Sequence, residues 1–142
     1  MTYLLGTDEA GYGPNLGPLV VSATLWQAPD ELNGVDLYEQ LQAVIRRRRA
    51  ECDDADQLVI ADSKVLYKPG SGLTRLELGV LSALRLLGRS PKNWRELWTQ
   101  LAPESNPDRE RLPWYTDYDA PLPVAVDGGH LSRTTDRLRV GL

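Results

Sequence analysis

The 142 residues are 42% hydrophobic and 25% charged, the balance of a chain that folds around its own core, which argues against wholesale disorder and predicts one domain over residues 1–142. One cysteine, Cys52, and one histidine, His130, exclude an internal disulfide and leave too few ligands for an ordinary zinc site. The net charge of −4 argues against a basic surface made for polyanions, although carboxylates that hold divalent cations reverse the local field.

The chain opens without a basic segment or a long apolar run, so neither a signal peptide nor a membrane span is expected, and a cytoplasmic protein is the reading. A strand is predicted over residues 3–7, with Asp8 and Glu9 at its end and a loop of Gly11, Gly13, Pro14, Asn15, Gly17 and Pro18 beyond. A second strand over 19–26, antiparallel to the first, sets Val21, Ala23 and Leu25 on one face and Ser22, Thr24 and Trp26 on the other. After a turn at 29–34, Leu37, Leu41, Val44 and Ile45 follow helical spacing. Arg46, Arg47, Arg48 and Arg49 would close that helix as a solvated face favoured at its carbonyl end, in preference to a phosphate contact.

Residues 51–56 form an acidic loop, and 57–61 a short apolar run ending in Asp62, Ser63 and Lys64. Past a turn at 69–72, Thr74 and Glu77 fit a capping box for a helix on Leu76, Val80, Leu84 and Leu87, closed by Gly88, and the apolar Leu78, Leu81 and Leu86 predict cover on more than one side. Ser90 and Pro91 predict the start of another helix. Its stripe of Trp94, Leu97, Trp98 and Leu101 reads as packing in preference to base stacking, and Pro103 ends it. The five prolines of residues 103–123, with Trp114, Tyr115 and Tyr118, predict an ordered loop on the core. A strand over 122–126 and a helix over 130–140 on Leu131 and Leu138 complete the chain.

The stretch with most chemical content is residues 4–21. A nucleotide P-loop needs Gly-Lys-Ser/Thr, but Pro18 follows Gly17; a dinucleotide fingerprint needs glycines at relative positions 1, 3 and 6, and here they fall at 1, 3 and 7. Covalent Ser or Cys catalysis has only His130 as a base and no nucleophile elbow. A hard-metal carboxylate site survives. Adjacent residues of a strand point to opposite faces, so Asp8 and Glu9 reach one metal only if the backbone turns there, which Gly11 and Gly13 make easy. Gly6 leaves space beside Asp8. On spacing alone a polar strand end explains the pair equally well.

The run D-E-A-G-x-G-P-x-x-G-P-L-V-V at residues 8–21 resembles the first motif of the type 2 ribonucleases H, the ribonuclease HII family, and Asp62-Ser63-Lys64 followed by Val65 and Leu66 resembles its second. The resemblance implies an α/β class, a ribonuclease H-like mixed sheet flanked by helices, and hydrolysis with Mg²⁺ or Mn²⁺ of RNA in RNA/DNA hybrids or ribonucleotide-containing DNA. By that resemblance Asp8 and Glu9 are the first two metal carboxylates. Gly11, Tyr12 and Gly13 meet the nucleic acid near the 2′-hydroxyl, with Ser63 beside the site and Lys64 toward a phosphate.

Two departures qualify the resemblance. Tyr12 stands where the family typically has arginine, so a bidentate charged contact is lost. For the family's third carboxylate the candidate is Asp127, although its long spacing from Asp8 and the lack of a surrounding motif favour a helix N-cap or turn role, and for the fourth Asp136 is offered with less support. The expectation is thus an N-terminal portion of a longer endonuclease. Its rival is a non-catalytic ribonuclease H-like domain that binds nucleic acid or serves as a scaffold.

Overall fold

In the computed structural model, which describes residues 1–9, 20–52, 54–67, 70, 72–113 and 115–142, the architecture is mixed α/β with small sheets. The chain divides into two compact units, Met1–Gln40 and Leu41–Leu142.

In the first unit, β1 (Thr2–Glu9) pairs antiparallel with β2 (Val21–Ala28) in a register that sets Leu5 against Leu25, Asp8 against Ser22 and Glu9 against Val21. The antiparallel expectation holds, and both strands run two residues past their predicted ends. Of the sixteen strand residues only Ala28 is buried, so the backbone ladder and the cross-strand pairs hold this element together. Asp30 ties down the chain start: its carboxylate accepts from the Met1 ammonium and, at 2.8 Å, from the Thr2 hydroxyl. Both bonds hold the Asp30 carboxyl below the usual carboxylate range. A single turn, α1 (Leu37–Gln40), ends the unit.

The helix predicted through Val44 and Ile45 stops at Gln40. Residues 41–44 turn back, and β3 (Ile45–Arg46) pairs parallel with β4 (Leu58–Val59). Two causes act together. Val44 and Ile45 are β-branched and favour extended backbone, and the buried Gln57 side chain donates to the Gln42 and Ala43 carbonyls at 3.1 and 3.2 Å, fixing the turn. The arginines consequently close no helix: Arg46 belongs to β3, Arg48 lies 4.0 Å from Glu51, and Arg49 donates to the Asp54 carbonyl at 2.7 Å.

The core of the second unit lies where α3 (Thr74–Leu86) packs on α6 (Gly128–Gly141). Leu78, Leu81 and Leu84 are buried on α3 and Leu131 and Leu138 on α6, with Ile45, Leu58, Val59 and Val126 also buried. Val80 and Leu87, assigned to the buried stripe from spacing, are exposed. Gly88, at φ +73°, closes α3 as predicted: its N–H reaches the Arg85 carbonyl and the Arg89 N–H the Leu84 carbonyl, the paired bonds of a Schellman end. At the end of α6, a Cβ on Gly141 would stand 2.3 Å from Val44 Cγ1, so only glycine permits that approach.

The capping box does not form. The N-cap of α3 is Leu73, without a side-chain bond, and Glu77 instead takes the N–H groups of Val124, Ala125 and Val126, the last two at 2.6 and 2.8 Å. Those bonds consume the donors that a strand over 122–126 would need, and none forms there. Before these elements, α2 (Ser63–Leu66) is a single turn. The helix α4 (Trp94–Leu101) starts at Asn93 rather than Ser90, since the Asn93 side chain accepts from the Glu96 N–H at 2.8 Å while the Glu96 carboxylate accepts from the Lys92 N–H at 2.7 Å. Residues 103–123, expected as a loop, contain a 3₁₀ turn, Pro103–Ser105, and α5 (Asn106–Glu110).

Candidate functional site

Each sequence-predicted site residue has a definite local setting where it is described. Asp8 and Glu9 are the last two residues of β1, both exposed, and their pairing with Ser22 and Val21 keeps the strand regular through Glu9. The pleat therefore sends the two side chains to opposite faces. No turn occurs at the acids themselves. Gly11, Tyr12 and Gly13 lie outside the described residues. The Asp8 carboxylate accepts from the Glu9 N–H at 3.0 Å, which orients one oxygen and leaves the other available. The space over Gly6 is taken by Thr24, whose hydroxyl would stand 3.1 Å from a Cβ added there.

In the second unit, Asp62 is the N-cap of α2 and accepts from the Lys64 N–H at 2.8 Å, so Ser63 and Lys64 occupy an exposed first turn whose backbone the cap fixes. Asp127 is the N-cap of α6 and accepts from the His130 N–H at 2.9 Å. The capping alternative weighed for Asp127 is therefore realised locally, and its second oxygen is left for another partner. Asp136 is committed to Arg139 at 3.0 Å.

Asp8 and Glu9 belong to one unit and Ser63, Lys64, Asp127 and Asp136 to the other. Among the described residues no group of three or more His, Cys, Asp or Glu side chains is arranged to hold a metal ion. The donor type of Asp8 and Glu9, hard carboxylate oxygen, suits Mg²⁺ or Mn²⁺; two such residues are fewer than a full protein ligand set.

Glu77 was not singled out as a support of the site, because its spacing from Thr74 fits a local cap and no sequence signal foretells three amides arriving from residues 124–126. Its effect is to fix the backbone that leads into Asp127. A second feature that spacing does not show is an acidic loop clasped by α6. Arg137 bonds the Asp54 carboxylate, Arg133 stands 3.2 Å from Asp56, and His130 Nε2 lies 3.0 Å from the Ala55 carbonyl. The Arg137 bond holds the Asp54 carboxyl below the usual range. Among the described residues no helix is long and apolar enough to cross a membrane.

Over 90 residues the chain is 36% identical to the ribonuclease HII of Methanococcus vannielii, a match that takes in 57% of this chain and 37% of that protein. The chain thus spans little more than a third of the length of the curated relative it matches. No protein-family model matches the chain. No solved structure matches it.

Proposed function

We propose that this chain contributes a ribonuclease H-like fold and the first metal carboxylates to an endoribonuclease that hydrolyses RNA in RNA/DNA hybrids or at RNA–DNA junctions. The similarity to ribonuclease HII carries the reading, and the placement of Asp8 and Glu9 at the end of a paired strand supports it, because such a strand holds their backbone still. Asp8 and Glu9 would hold Mg²⁺ or Mn²⁺, with Asp127 as a further carboxylate. When bound, the cation supplies an activated water and charge stabilisation at the scissile phosphate.

The chain's own side chains do the positioning. The Asp8 oxygen that accepts from Glu9 N–H is fixed in direction, so its other oxygen needs little reorganisation to meet a cation. Lys64, exposed on a capped turn, offers a cation to a phosphate. Gly11, Tyr12 and Gly13, with Ser63, would contact the strand that carries the 2′-hydroxyl.

A second reading, a non-catalytic domain that binds hybrid duplex, is favoured by one observation: Asp127, the candidate third carboxylate, serves locally as the N-cap of α6. Cleavage of a DNA duplex containing one ribonucleotide separates the two. It is assayed with Mg²⁺ and with Mn²⁺ for this chain and for the longest reading frame that contains it. Cleavage that falls by about a hundredfold or more in Asp8→Asn, the loss of a few kcal/mol of transition-state stabilisation, is the expected result. Cleavage that survives Asp8→Asn removes the assignment. Salt-sensitive hybrid binding with no metal-dependent cutting in either form establishes the second reading.

A further inference from the structure

Residues 120–126 are held at both ends before they deliver Asp127. On one side they are tied beside the start of α4: the Trp94 N–H donates to the Ala120 carbonyl at 2.9 Å and the Leu122 N–H to the Lys92 carbonyl at 2.8 Å. On the other, Glu77 of α3 takes three consecutive N–H groups, Val124 on Oε1 and Ala125 and Val126 on Oε2. Three converging amides suit one carboxylate, and charge-assisted bonds of this kind fix direction as well as distance. Val126 is buried, so the backbone is also packed at the residue that leads into Asp127.

Past Val126 little freedom is left. The Asp127 carbonyl accepts from the Leu131 N–H at 2.9 Å as α6 begins, and Oδ1 accepts from the His130 N–H at 2.9 Å. A Cβ on Gly129 would stand 3.1 Å from that same oxygen, so the first turn of α6 closes round it. The direction of the other oxygen is then set by where residue 126 places the Asp127 backbone, and Glu77 sets that place.

With Asp127 read as a metal carboxylate, on which this step rests, we propose that Glu77 is its positioning residue. Glu77 touches neither cation nor substrate; it raises the affinity for Mg²⁺ or Mn²⁺ by holding the Asp127 oxygen in place through Val126. Groups that orient a metal's ligands typically change affinity by about ten- to a hundredfold when removed. Glutamine cannot replace it, because it offers the three amides one acceptor oxygen and turns an NH₂ toward the rest.

The test follows Mn²⁺ binding to the isotope-labelled chain by paramagnetic broadening, read separately at the amides of residues 128–130 and at those of β1. Glu77→Gln should weaken binding at 128–130 about tenfold or more. Glu77→Asp, which keeps the charge but draws the carboxylate back by a methylene, should do likewise. Circular dichroism and slow exchange at Leu138 show that each variant is folded. A lost charge or lost stability acts whether or not Asp127 can bind a cation, whereas positioning acts only through it. In Asp127→Asn the Glu77→Gln change should therefore have no further effect on the residual affinity, and additive losses overturn the proposal. Unchanged Mn²⁺ binding in Glu77→Gln with faster exchange at 124–126 also overturns it, leaving Glu77 a support of the chain and the nuclease reading intact. Broadening at β1 with none at 128–130 removes the ligand role of Asp127 and the proposal with it, while the reading of Asp8 and Glu9 stands; broadening at neither removes both.

Discussion

The β1–β2 hairpin and the α3–α6 pair reach order by opposite means. Along the hairpin a full ladder of partners exists, yet Leu5 and Leu25, facing each other across it, are 69% and 67% exposed. Between the helices the reverse holds: Leu131 is 1% and Leu138 2% exposed, and four side chains of each helix are buried. A ladder fixes where side chains point; burial supplies most of the free energy. Candidate chemistry at Asp8 and Glu9 therefore sits where substitutions disturb no core, so a loss of activity there is readable as chemistry. The same is not true of Asp127, whose helix is packed.

The sharpest way to break that contrast is a matched pair of truncations. Leu131→Ala should cost about 2–5 kcal/mol in urea unfolding, since it removes a buried side chain and leaves a cavity, whereas Leu5→Ala should stay within about 0.5 kcal/mol. Comparable losses for both would mean that the hairpin face is covered. Glu77→Gln comes next. Losing a charged acceptor for three N–H groups should cost about 1.5–3 kcal/mol, with faster hydrogen exchange at residues 124–126 and little change at Leu138. If exchange at 124–126 is unaltered, Glu77 does not hold that segment. Smaller still, Asp127→Ala should cost about 1 kcal/mol as a lost N-cap, and Asp127→Asn almost nothing. The Asn variant thereby separates the two roles: preserved melting with weakened Mg²⁺ or Mn²⁺ dependence marks a ligand, and preserved melting with intact metal response marks a cap only.

How far these regions were legible in the sequence depended on the range of the interactions that decide them. The two long strands, the Gly88 stop and the helix on Leu131 and Leu138 follow from short-range periodicity and turn chemistry, and they form as read, with the ends of the strands and of α6 shifted. The helix through Val44 and Ile45 fails because Gln57, more than a dozen residues away, holds the carbonyls of 42 and 43. The capping box fails for the same reason in reverse: Glu77 has a distant set of amides that competes with its own N-terminus. For the candidate site, Asp8 and Glu9 stood out by residue type and by the motif around them, and both belong to β1. The sequence offered Asp127 as a helix N-cap, but spacing did not show that Glu77 fixes the approach to that helix, nor that Trp94, Tyr115 and Arg109 come together. Each of those is a tertiary meeting of segments that look unremarkable alone.

The smallest expected effect compares the two acids that hold each unit's chain in place. Asp30 is bound by the N-terminal ammonium and Thr2, and Asp54 by Arg137, with the Asp56 and Gln57 N–H groups adding to it. Both carboxyls lie below their ordinary value in the folded state. The sign follows: a lowered folded pKa contributes stability that is fully present above the unfolded carboxylate value of about 3.9 and is lost as pH falls through the folded one. Exposure and salt screening keep each contribution small. Asp54→Asn should therefore lower stability slightly at neutral pH, and the difference from the unaltered chain should shrink as pH falls below the unfolded carboxylate value and vanish once it has passed the lowered folded one, since the protonated acid then resembles the amide. Asp30→Asn should behave alike, seen as faster exchange at the β1 amides rather than at α6. A difference that grows on acidification would mean that neither carboxylate is held by the partners named.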